Sequence, residues 1–303
     1  SQKPMKMKSD KLFLCLISVG LWCFTLMGCQ WLNLQNSVGD WGKSRSFMHA
    51  GDSAMKTGQY EIAIEQFQQA AELTPDDPVI FERLSESNWE LGYQTLAINQ
   101  MARAVQASDD DASLLYKLAN LNFQYGDRQR ALEAVNRSIV RDSQLIAARV
   151  LRGEIYREQG ASSKALEDLH FVLGILNEDD TERQVEMQMK VARIYLQQQR
   201  FQNALSIVTT IPITRIDDEQ VIQVYQIHSL VLQQLGRFKD AQEKLERALQ
   251  LDGSQVETYY RLAEVHAAAN NMSDAVLAIQ QTLARSPKHQ RALQLSQRIS
   301  VPR

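Results

Sequence analysis

Apolar positions fall into two regimes along the chain. Residues 12–28 form one uncharged apolar run, preceded by Lys3, Lys6, Lys8 and Lys11. Beyond it the pattern is self-similar, and aligning the segments of the form Gly-x-(Tyr/Phe)-x-x-Ala gives a period of 34 residues. Repeats begun at Ser44, Pro78, Ala112 and Ile146 place Gly58, Gly92, Gly126 and Gly160 at repeat position 15, and Ala63, Ala97, Ala131 and Ala165 at position 20. Three further repeats start at Val185 (with Tyr195, Phe201 and Ala204), Ile222 (Gly236, Phe238 and Ala241) and Val256 (Leu262, Ala275 and Pro287). The expected organisation is therefore seven repeats, 44–77, 78–111, 112–145, 146–179, 185–218, 222–255 and 256–289, with 180–184 and 219–221 as inserts. Each reads as two helices, the first ended by a glycine in the left-handed conformation. Small residues let the two helices cross closely, and large ones fill the space between repeats. The fifth repeat departs most, with Gln199 in the glycine place and Ile211-Pro212-Ile213 at its end, which predicts a bend there. Residues 290–303 are expected to supply a capping helix and a tail, with Ala292, Leu293, Leu295 and Ile299 on its apolar side.

Composition agrees with a helical reading. The 303 residues are 44% hydrophobic and 23% charged, which excludes a disordered, collagenous or multi-span membrane chain. Only 13 Gly and 6 Pro fit helices joined by short turns. The net charge is −3; four lysines against Asp10 give the first 28 residues +3, so the remainder carries −6. A mildly acidic body with mixed charges does not attract nucleic acid. The clusters Asp76-Asp77, Asp109-Asp110-Asp111 and Glu178-Asp179-Asp180 fall between repeats, where they are expected to cap the following helices. They lack the alternating oxygen ligands and glycine of a calcium loop.

The repeat resembles the tetratricopeptide repeat, most fully in its first copy, with Phe47, Gly51, Tyr60, Ala63, Phe67, Ala70 and Pro75. That resemblance implies an all-α fold, a helix-turn-helix solenoid winding as a right-handed superhelix of about seven repeats. It also implies a concave groove that binds a peptide or a partner helix. The family's groove positions, carried over repeat by repeat, are Glu82, Glu86, Trp89 and Glu90; Tyr116, Asn120, Phe123 and Gln124; Glu154, Arg157 and Glu158; and Met189, Arg193 and Leu196. Trp89, Tyr116 and Phe123 are expected to form an aromatic strip, with Asn120 placed to hydrogen-bond a ligand backbone. The glutamates of the second and fourth repeats suggest an acidic groove and a basic or neutral polar ligand. The family's variant that clamps a chaperone's C-terminal carboxylate needs Lys and Arg where this chain has Glu82 and Tyr116.

The N-terminal segment has the charged and apolar regions of a secretory signal and closes on Leu26-Met27-Gly28-Cys29. This resembles the lipobox of bacterial lipoproteins, which implies cleavage after residue 28, a lipidated Cys29 as the mature N-terminus and a linker over 29–43 containing Trp31 and Trp41. The alternative is an uncleaved transmembrane anchor. Either way the flanking lysines predict that the body is exported. Gln30, where an aspartate would favour the inner membrane, points to lipid anchoring at the periplasmic face of the outer membrane. A lipobox followed by many such repeats is similar to the TadD-like lipoproteins of tight-adherence (Flp) pilus assembly and, in plan, to the PilF/PilW pilotin group of type IV pili. Those resemblances imply a scaffold whose partners are envelope proteins, such as a secretin or pilus assembly components. The alternative is an adaptor for peptidoglycan hydrolases or proteases.

Candidate chemistry is sparse. Gly42-Lys43-Ser44 lacks the upstream glycine and strand of a phosphate loop. His49, His170, His228, His266 and His289 fall in different repeats, none with a second histidine at metal-ligand spacing. With Cys15 and Cys23 leaving in the signal, Cys29 is the one cysteine left, so no disulfide, zinc site or catalytic thiol is expected. Only groove carboxylates such as Glu86 and Glu154 remain as acid or base candidates, and the expectation is a non-enzymatic binder with no cofactor, no nucleic acid and no small-molecule substrate.

Overall fold

The computed structural model describes residues 40–177 and 179–300. The lipobox-like segment with Cys29, Trp31 in the linker, and Glu178 lie outside the described residues. Those residues form fifteen α-helices and no strand, and none of the helices is long and apolar enough to cross a membrane. The chain divides into two compact bodies at Leu145/Ile146.

The N-terminal body holds three helical hairpins: α1 (40–56) with α2 (Tyr60–Leu73), α3 (Pro78–Glu90) with α4 (Gln94–Ala107), and α5 (Ala112–Tyr125) with α6 (Arg128–Arg141). Helix α1 takes in residues 40–43, which the sequence suggests are linker. It is tied to the end of α2 at Ser44, whose hydroxyl, 4% exposed, lies 2.7 Å from that of Thr74 and also donates to the Ala70 carbonyl. The C-terminal body holds α7 (Ile146–Glu158) with α8 (Ser162–Ile175), α9 (Thr181–Gln197) with α10 (Phe201–Thr209), α11 (Asp218–Gln234) with α12 (Phe238–Leu251), and α13 (Val256–Ala268) with α14 (Met272–Arg285), followed by α15 (Gln290–Ser300). The residues read as inserts are largely helical: α9 and α11 are 17 residues long against 13 or 14 for the other first helices from α3 onward, so the surplus is taken up as an extra turn at each N-terminus. The fifth repeat shows its irregularity in α10, only nine residues long, and in a 3₁₀ turn over Ile213–Arg215.

Local chemistry explains the hairpins. Asp77 and Asp111 sit at extended N-cap backbones and accept from the amides of Val79 and of Ser113 and Leu114, satisfying donors that the first turn leaves open. Asp180 stands at the corresponding place before α9 but makes no side-chain cap bond, because its ψ of 40° turns the carboxylate away from the first-turn amides. The first helix of a hairpin ends in the left-handed region, as at Gly126 with φ 98°, where its amide donates to the carbonyls of Asn122 and Phe123. Gln199 and Asn270 take the same place at φ 57° and 62°, so the geometry persists without glycine.

The helices meet on small residues. Position 20 is Ala63, Ala97, Ala131, Ala165, Ala204, Ala241 and Ala275, each fully buried, which brings the paired backbones close enough for large side chains beside them to interlock. Facing position 24, position 8 is small in every repeat, from Gly51 against Phe67 to Gly153 against Leu169. One buried ionic group stands in this frame: Asp168 of α8 accepts two hydrogen bonds from Arg152 at 2.7 and 2.8 Å, and Arg149 lies 3.5 Å away with its guanidinium over the Phe171 ring.

Candidate functional site

Each body has a hollow lined chiefly by the first helices of successive hairpins. In the N-terminal body a hollow of about 230 Å³ lies between α3 and α5, with Glu86, Trp89 and Glu90 on one side, Lys117, Asn120 and Leu121 on the other, and Ser85 and Met101 beneath. Among the sequence-predicted residues it brings together Glu86, Trp89, Glu90 and Asn120. Tyr116 and Phe123 are half-buried on α5 but do not line it, and the guanidinium of Arg128 covers the Phe123 ring at 5.3 Å, so the expected aromatic strip is reduced to Trp89.

The acidity expected of this face is offset in part by bases that the sequence reading passed over, Arg83 and Lys117, which stand against Asp52, Glu82, Glu86 and Glu90. Lys117 bonds Glu82 directly and stands 3.7 Å from Glu86. Arg83 bridges Glu86 at 2.7 Å and Asp52 at 3.2 Å. The hydrogen bond to Glu86, followed by the charges of Glu86, Asp52 and Glu82, raises the Arg83 pKa despite partial burial.

In the C-terminal body a hollow of about 520 Å³ is lined by Glu154 and Arg157 of α7, Glu186, Met189, Lys190, Arg193, Leu196 and Gln197 of α9, and Gln223 and Leu230 of α11. Its charged lining is two carboxylates against three cations, which corrects the expectation of an acidic groove in the fourth repeat. Arg157 holds Glu154 at 2.5 Å, and that hydrogen bond is the main reason the Glu154 carboxyl titrates below the usual carboxylate range, with Lys190 and Arg193 adding to it. A carboxylate held ionised in this way is a poor proton donor, which removes one of the two acid candidates. Met189 lines the hollow as part of its floor, and at 6% exposure it also packs in the core with Val185, Ala192 and Val208. Among the described residues no group of three His, Cys, Asp or Glu side chains could hold a metal ion.

Two segments, 49–113 and 232–299, match family models of the tetratricopeptide repeat. The structure of a tetratricopeptide repeat protein from Parabacteroides merdae superposes with a TM-score of 0.66 at 14% identity, covering 86% of this chain and 100% of that one. The fold is that of tetratricopeptide repeats. The C-terminal part of such a protein from Cytophaga hutchinsonii gives 0.61 at 15% identity over 82% of this chain and 98% of that one. PilF of Pseudomonas aeruginosa gives 0.51 at 11% identity over 86% and 99%. At these identities the likeness extends to the fold alone. No curated protein is similar enough in sequence to count as a relative.

The tetratricopeptide register explains the bases that were missed. Arg83, Lys117 and Lys190 all occupy position 6, next to groove position 5, and long side chains there reach sideways to the acid at position 9 of the preceding repeat: Arg83 to Asp52 and Lys117 to Glu86. A base at position 6 following an acid at position 9 one repeat earlier is a signal readable in the sequence, once charges are compared between repeats rather than down one column.

Proposed function

We propose that this chain is a lipid-anchored scaffold at the periplasmic face of the outer membrane, which holds envelope proteins during assembly of a pilus or secretion machine. The observation that carries the binding part is the pair of open hollows, each an apolar floor rimmed by polar and charged side chains. A partner side chain lodged on such a floor contributes roughly 1.5–3 kcal/mol through burial, and the rim fixes its orientation. Tetratricopeptide repeats in general serve as protein-binding scaffolds rather than catalysts, which supports the same reading. The anchoring rests on the lysine-flanked apolar run and Cys29, and the pilus or secretion role on the similarity in plan to lipoproteins of those machines.

The test is photo-crosslinking from Asn120, on the rim of the N-terminal hollow, in membrane-anchored protein, beside a Cys29→Ser chain scored for lipid labelling and membrane sedimentation. Capture of a secretin or pilus component, with loss of lipid and of sedimentation in Cys29→Ser, is the expected result. Capture of cell-wall hydrolases or a protease instead would move the protein to the adaptor class. An unlabelled wild-type chain would refute the anchor.

A further inference from the structure

The hollow of the C-terminal body holds one charge that stands apart from the others. Arg157 is paired with Glu154 at 2.5 Å, and Lys190 stands 3.5 Å from Glu186 on its own helix. Just outside the lining, Arg261 bonds Glu257 at 2.9 Å. Arg193 alone among the lining cations has neither a hydrogen bond nor an ion pair within the described residues. Its surroundings explain why a counter-charge is wanted there. Part of its surface meets solvent, yet the walls of the hollow remove enough water to lower its pKa, and the positive charges of Arg261 and Arg157 lower it further, against only Glu154. Arg261 also keeps a buried Nε without a hydrogen-bond partner. Beside Arg193 the lining turns apolar, with Leu196 one turn along α9 and Leu230 facing from α11.

We propose that the hollow between α7, α9 and α11 docks an acidic segment of a partner protein, one Asp or Glu side chain pairing with the Arg193 guanidinium while a neighbouring apolar side chain lies on Leu196 and Leu230. This deepens the scaffold reading and rests on it. An unpaired guanidinium in a partly dehydrated concavity is where an incoming carboxylate gains most: it meets a planar donor pair suited to two-point bonding, and it relieves repulsion among cations already present. The same carboxylate brought to Arg157 or Lys190 would first have to displace a resident acid.

The experiment is an array of immobilised, C-terminally amidated peptides of random sequence, probed with the labelled full chain in detergent, so that only side-chain carboxylates can act. Wild-type chain is expected to select peptides with Asp or Glu next to Leu, Ile, Val or Phe. Arg193→Gln should bind these about tenfold more weakly, as for loss of one charge-assisted pair, and Arg193→Glu should shift selection towards Lys and Arg. Because Arg193 has no pair within the fold and its charge is opposed by burial, Arg261 and Arg157, neither variant should lower the unfolding midpoint. Peptide binding without acidic preference, or acidic preference unchanged in Arg193→Glu, would overturn this site while leaving the scaffold reading intact. Absence of peptide binding of any composition would overturn both.

Discussion

Gly51 and Gly153 occupy the same place, position 8 of their repeats, yet alanine should act on them with opposite sign. A Cβ added to Gly51 would lie 2.4 to 2.7 Å from three carbons of the Phe67 ring, and Phe67 is fully buried, so the ring has no open space to swing into. Overpacking of that kind costs up to about 3 kcal/mol, and the better helix propensity of alanine offsets about 1 kcal/mol, leaving a net loss of about 2 kcal/mol. A Cβ on Gly153 would meet its nearest atoms, the Ala165 carbonyl oxygen, Leu169 and Asp168, at 3.5 to 3.7 Å. That is ordinary contact, so the propensity term stands alone and Gly153→Ala should gain about 1 kcal/mol. The two chains should therefore differ by about 3 kcal/mol, measured by urea unfolding followed by circular dichroism. Leucine in place of Phe67 would relieve the clash, so Phe67→Leu should be better tolerated with Gly51→Ala than in the wild type, by at least about 1 kcal/mol of coupling. Equal stabilities of Gly51→Ala and Gly153→Ala, or strict additivity in the double variant, would refute the argument that residue 24 sets the size allowed at residue 8.

Three further outcomes are expected. Asp168→Ala removes the 1%-exposed carboxylate that two guanidiniums face and should cost about 3 kcal/mol in thermal or urea unfolding, whereas Glu243→Ala, half of an exposed pair with Arg247, should cost well under about 1 kcal/mol. Burial, then Lys244 and Arg237, depress the His228 pKa from 6.5 to about 4; the folded state thus binds this proton more weakly than the unfolded chain. The corresponding stability is complete above pH 6.5 and declines as pH falls towards 4, by up to about 3 kcal/mol, and the difference in stability between wild type and His228→Gln should follow that window. Gln199→Gly should stabilise by about 1 kcal/mol by removing a left-handed non-glycine residue, with a smaller gain for Asn270→Gly because asparagine tolerates that region better, as read from unfolding midpoints.

The hairpins were legible because their causes are local and recur. A glycine in the left-handed place, an alanine at each crossing and an aspartate before the next helix repeat with the period, so each copy reinforces the others. What escaped were features owed to single contacts. The contact of Ser44 in α1 with Thr74, thirty residues away, is one of these, and no periodicity announces it. Asp168 drew no reading from the sequence, and its burial is owed to Arg149 and Arg152, which converge on it from the preceding helix. Met189 falls in a groove column by register and does line the hollow, but the column does not show that it also packs against Val185 and Val208.

The charge of the groove was read as too acidic, most of all in the C-terminal hollow, and the cause is general to stacked repeats. Counting groove positions 2, 5, 9, 12 and 13 finds Glu82, Glu86 and Glu154 and gives an acidic surface, because it omits position 6, where Arg83, Lys117 and Lys190 lie one residue away. Those side chains are long enough to cross to a neighbouring helix, so Arg83 and Lys117 each meet the acid of the repeat before, and the sign of the surface is decided by pairs rather than by single residues. Under this rule most charges cancel locally, and paired, partly exposed ions give little attraction at a distance. The residues that distinguish one partner from another are then the ones that interrupt the ladder. Arg193 does so: it places a cation at position 9, where Asp52, Glu86 and Glu154 place acids, and the next repeat offers Ile227 at position 6 instead of a counter-ion. Replacing that cation with an acid, Arg193→Glu, should therefore erase selectivity for acidic partners without unsettling the helices that present it.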